Sequence, residues 1–86
     1  MLKKKDFNLK AELPPVDIVQ ISMLLRAPQY KVLNEKFCSG KMDRGDIKAL
    51  IKDMKRISDS ARAQGDTAME NNTRKVAADL EALLKG

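Results

Sequence analysis

The sequence predicts an all-α protein, arranged as a small four-helix bundle or as a helical hairpin with two short covering helices. Three observations support this. Apolar residues recur at helical spacing over 43–84, helix stop and start signals adjoin at Gly65, and strand-favouring residues are few. The chain is long enough for one domain, with helices expected at about 15–26, 28–38, 43–64 and 67–85 behind a basic arm over 1–14.

The two long helices give the clearest signal. Ile47, Leu50, Ile51, Met54, Ile57 and Ala61 follow the i, i+3, i+4, i+7 series of a single helix face. Asp43 is placed to cap the first-turn amides, and Asp46 adds a negative charge where the helix dipole favours one. Gly65 is the natural stop, because glycine adopts the left-handed conformation that closes a helix and lets the chain reverse. Thr67, Ala68, Met69 and Glu70 then have the spacing of a capping box, so a second helix starts near Thr67 with that threonine as its cap. Its apolar positions Met69, Thr73, Val76, Leu80 and Leu83 alternate by four and three, with Ala77 and Leu84 widening the stripe. Such a seam suits antiparallel packing, and at about 1.5 Å per residue two helices of roughly twenty residues match in length at about 30 Å. One unbroken helix through Gly65 is the alternative, at a cost of only about 1 kcal/mol for the glycine.

The first half is less periodic. Residues 1–13 are polar apart from Leu2, Phe7, Leu9 and Leu13, and form either a disordered arm or a segment that docks Phe7 and Leu9 on a neighbour. Pro14 and Pro15 exclude helix from the preceding residue, Leu13, and suit a helix beginning at Pro15. Val16, Ile18, Val19, Ile21, Met23, Leu24 and Leu25 then point nearly all round that helix, so it is either sandwiched in a core or partly exposed as a contact surface. After Pro28, Tyr30, Leu33 and Phe37 outline a second short amphipathic helix that ends at Ser39 and Gly40.

Composition narrows the function. With two phenylalanines, one tyrosine and no tryptophan, the core must be aliphatic, and a chain this short buries only about 60–65% of its unfolded surface. Cys38 is the single cysteine, so no internal disulfide forms, a reducing compartment is the simpler setting, and beside Phe37 the thiol reads as a small buried hydrophobe. No segment approaches the run of about eighteen apolar residues that spans a membrane. Lys3, Lys4 and Lys5 resemble the charged start of a signal peptide, but Asp6, Asn8, Lys10 and Glu12 occupy the place of its apolar run, so the expected location is cytoplasmic. Histidine is absent, and there is no cysteine pair, glycine-rich phosphate loop or calcium-loop pattern. The sequence therefore predicts no enzyme, no cofactor and no metal.

The net charge of +5 is uneven: residues 1–42 hold eight basic and four acidic side chains, residues 43–86 nine and eight. On a helical wheel with Ile47 at zero, Arg44, Lys48, Lys52, Lys55 and Arg62 fall between about 60° and 140°, and Asp46 and Asp53 near 250°. This makes a basic flank beside the apolar stripe. It serves either plain solvation or docking on an acidic groove or helix. The expected partner-binding set is Ile18, Ile21 and Leu25 with Arg44, Lys48, Lys52, Lys55 and Arg62, on a small adaptor, chaperone or inhibitor whose partner is a protein with an acidic or apolar groove, or a second copy. The alternative is a basic accessory protein that binds DNA or RNA through the Arg44–Arg62 ridge and the N-terminal lysines, since each cation set on a phosphate adds salt-dependent affinity. Eight nearby acids and the lack of stacking aromatics weigh against it.

The run Gly45, Asp46, Leu50, residues 55–61 and Gly65 resembles the centre of histidine-phosphotransfer domains, four-helix modules of bacterial signalling relays. In that family the phosphoryl-accepting histidine is followed by an apolar residue, lysine and glycine two, three and four positions on. Here Lys55 stands in the histidine's place, and Ile57, Ser58 and Asp59 follow. Phosphotransfer is thereby removed. The resemblance implies at most a relative that binds a receiver-like partner without chemistry.

Overall fold

The computed structural model describes residues 6–85. Among them the fold is all-α, with helices α1 (Leu9–Glu12), α2 (Pro15–Leu24), α3 (Lys31–Ser39), α4 (Arg44–Ala63) and α5 (Thr67–Lys85) and no strand. The chain divides into two compact units, Met1–Asp46 and Ile47–Gly86, with α4 beginning in the first and continuing through the second. Five helices replace the expected four, because residues 9–12 form a turn of their own.

In the first unit that extra turn is held by burial. Phe7 and Leu9 are fully buried and Leu13 nearly so, and α1 packs on α2 and α3. Phe7 donates its backbone N–H to the Met42 carbonyl in an isolated antiparallel bridge. The Lys10 ammonium lies 5.5 Å from the centre of the Phe37 ring, within reach of a cation–π attraction. Phe7 and Leu9 thus pack within the chain rather than standing exposed; Lys3, Lys4 and Lys5 lie outside the described residues.

Pro15 occupies the first turn of α2, where a missing N–H costs nothing. Pro28 opens a separate 3₁₀ turn, Pro28–Tyr30, so the helix expected over 28–38 is split, and α3 begins only at Lys31. Gly40 closes α3 at φ +72°. The Lys41 amide bonds the Lys36 carbonyl at 3.0 Å and the Gly40 amide that of Phe37 at 3.4 Å, the paired bonds of a Schellman stop. Cys38 is exposed, contrary to expectation. Phe37 takes the inward position, and the next residue on a helix points about 100° away.

The second unit is a hairpin. The Gly65 amide bonds the Arg62 carbonyl (3.1 Å) and the Asp66 amide that of Ala61 (2.8 Å), again a Schellman stop, with Gly65 at φ +75°. The Asp66 carboxylate then accepts from the Met69 amide at 3.1 Å, so Asp66 is the cap of α5 and Thr67 is already its first helical residue. One residue ends α4 through its N–H and begins α5 through its side chain. At the other end of α4 the Asp43 carboxylate accepts from the Asp46 amide (2.8 Å) and the Asp46 carboxylate from the Asp43 amide (3.1 Å), a reciprocal box built from two aspartates.

Ile47, Leu50, Ile51, Met54 and Ala61 of α4 are buried, as are Val76, Ala77 and Leu80 of α5. Ser58 and Thr73 join them: both hydroxyls donate to the Glu70 carbonyl, at 3.3 Å, and Thr73 also to that of Met69 at 2.8 Å. Ile57, expected on the buried stripe, is half-buried, and Ser58 takes the inner position instead. Lys55 reaches Glu81 at 3.1 Å, so α5 runs back along α4 with its C-terminal part beside the earlier turns of α4.

Candidate docking surfaces

Two surfaces combine exposure with side chains able to hold a partner, one in each unit. On α2 the buried stripe is Asp17, Ile21 and Leu25, at 1%, 0% and 2% exposure, an i, i+4, i+8 row. The outward row is Val16, Val19 and Met23, each about half exposed at 49%, 55% and 53%. Val32 of α3, at 65%, is the other large hydrophobe exposed among the described residues. The sequence-expected contacts Ile21 and Leu25 are therefore enclosed and cannot meet a partner, and Ile18 is half-buried. The accessible apolar row had no directional signal in the sequence. A helix apolar on every side does not say which stripe will win the core, and here an aspartate took a core position that composition gives to an aliphatic.

On α4 all five expected cations, Arg44, Lys48, Lys52, Lys55 and Arg62, are exposed. They differ in what they meet. Lys55 is paired with Glu81, whereas Lys48, Lys52 and Arg62 make no ion pair among the described residues. The acidic flank is largely engaged within the chain: Lys36 holds Asp46 at 3.3 Å and Arg56 holds Asp53 at 3.7 Å. Without an ion pair among the described residues, α4 thus carries Lys48, Lys52 and Arg62 against Asp59, a positive balance.

Shallow grooves lined by described residues mark the hairpin surface. One of about 300 Å³ lies at the open end, lined by Lys48 and Ile51 of α4 and Glu81, Leu84 and Lys85 of α5. A second, about 280 Å³, has Ala77 and Ala78 at its base and a balanced rim of Lys55 and Arg74 against Asp59 and Glu81. A third, about 240 Å³, sits near the turn and includes Arg56, Ile57, Asp66 and Met69. Among the described residues no three histidine, cysteine, aspartate or glutamate side chains converge in a way that would hold a metal ion, and no helix is long and apolar enough to cross a membrane.

The chain matches no protein-family model, no curated protein and no solved structure. The resemblance of residues 45–65 to histidine-phosphotransfer domains gains no support from these comparisons.

Proposed function

We propose that the chain is a small non-catalytic protein-interaction module, an adaptor, chaperone or inhibitor, that works by presenting helix surface to a protein partner in the reducing setting of the cytoplasm. One observation supports the reading above others: α2 turns an aspartate inward and leaves Val16, Val19 and Met23 half exposed in a single row. Fully burying an aliphatic side chain is worth about 1.5–3 kcal/mol, so three half-covered ones forgo stabilisation that a short chain needs. A partner with an apolar groove recovers it on binding, and the net positive charge speeds the approach of an acidic one.

The test is the Val19→Asp, Met23→Asp double variant. Both side chains are exposed, so the far-ultraviolet circular dichroism and the melting midpoint should stay close to wild type, while the protein that co-purifies with the chain from its source cell is lost. Retention of that protein by the folded double variant contradicts the reading. A nucleic-acid function is favoured only by the unpaired Lys48, Lys52 and Arg62. It requires duplex binding at low salt that weakens steeply as salt is added. The interaction-module reading expects no measurable duplex binding.

A further inference from the structure

The open end of the α4–α5 hairpin differs from the other two grooves in charge. Around Ser58 and Ala77, two cations face two carboxylates, and the groove near the turn holds Arg56 and Asp66 together. At the open end the only carboxylate among the described lining residues, Glu81, is already held by Lys55 at 3.1 Å. Lys48 and Lys85 stand over the groove without an ion pair among the described residues, and Lys52 follows Lys48 one turn on. The carbonyls ending α5 contribute about half a negative charge, which three whole cations outweigh. Beneath the charges are Ile51, 8% exposed, and the half-buried Leu84, so the floor is aliphatic.

We propose that this groove seats an acidic amphipathic helix of a protein partner, one of whose aliphatic side chains enters over Ile51 and Leu84 while flanking carboxylates meet Lys48, Lys52 and Lys85. The volume, about 300 Å³, is at the small end for a ligand cavity and suits one or two side chains. Lys48 and Lys52 are four residues apart, about 6 Å, the spacing of carboxylates on successive turns of a facing helix. A second copy of the chain is disfavoured at this site, since a two-fold pairing would bring like charges together. Duplex nucleic acid has no use for the aliphatic floor. The inference rests on the reading of the chain as an interaction module but uses residues of the hairpin alone.

The test uses the full-length chain, labelled for amide NMR, and an amidated helical peptide of leucine, alanine and glutamate with leucines on one face and glutamates flanking them. Binding should shift the amides of Lys48, Ile51, Lys52, Leu84 and Lys85. Affinity should fall about ten-fold or more both with a glutamine-for-glutamate peptide and in the Lys48→Glu, Lys52→Glu variant, whose exposed lysines leave no ion pair behind when reversed. No binding, shifts centred on Val16, Val19 and Met23, or indifference to either charge change overturns the inference. So does a stronger response of the same amides to phosphatidylglycerol vesicles or to mixed-sequence duplex DNA than to the peptide. Failure here with partner loss intact in the Val19→Asp, Met23→Asp variant sinks this seat and leaves the broader reading standing.

Discussion

Gly40 and Gly65 hold the same left-handed conformation, yet a side chain would meet different surroundings at each. A Cβ on Gly40 would come within 3.0 Å of the Asn8 side chain, whereas one on Gly65 would meet nothing within 4 Å. Gly65→Ala should therefore cost about 1–2 kcal/mol, the conformational penalty alone, and Gly40→Ala distinctly more; urea unfolding of the two variants checks the order. The cap of α5 gives a second residue-scale prediction. Asp66→Ala should lose about 1 kcal/mol while Thr67→Ala stays within about 0.5 kcal/mol, because the carboxylate of Asp66 meets the Met69 amide. The reverse order would restore Thr67 as the cap. Gly65 as a stop and Asp43 as a cap were legible in the sequence, since glycine and aspartate have few other reasons to stand next to an apolar periodicity. Asp66 was not, because Thr67 and Glu70 fit the capping-box spacing equally well and only the path of the chain through the turn decides between them.

Helix by helix, legibility followed amphipathicity. The centres of the α4 and α5 stripes follow the sequence pattern, because one face of each helix is apolar and the other charged: Ile47, Leu50, Met54, Val76 and Leu80 are buried, whereas Ile57, Met69, Leu83 and Leu84 are only half-buried. In α2 the same reasoning had nothing to separate one stripe from another, so Ile21 and Leu25 were expected outside and lie inside. The faces of α2 should be separable by stability. Ile21→Ala, at a fully buried position, should cost about 2–5 kcal/mol, and Val19→Ala on the outward row no more than about 0.5 kcal/mol. Equal losses at the two positions would mean that Val19 is covered within the chain. Across the hairpin, Lys55 and Glu81 are both well exposed, so a double-mutant cycle on the pair should return a coupling of about 0.2–1 kcal/mol that fades with added salt.

For the molecule as a whole, a short chain without a disulfide keeps exposed what a larger one would bury. The positive balance seen in the composition becomes local once Asp46 and Asp53 of α4 are engaged by Lys36 and Arg56, leaving Lys48, Lys52 and Arg62 against Asp59 without an ion pair among the described residues. That redistribution could not be read from the sequence, because Lys36 lies ten residues from Asp46 and meets it only through the fold. Docking of a protein partner on the outward row of α2 is tested by a photo-crosslinking amino acid placed at Val19 in the source cell, with the exposed Asn72 of α5 as the comparison position. A discrete protein adduct should form at Val19, absent at Asn72 and abolished when Met23→Asp is added; no adduct at Val19, or the same adducts at both positions, would rule out docking on that row.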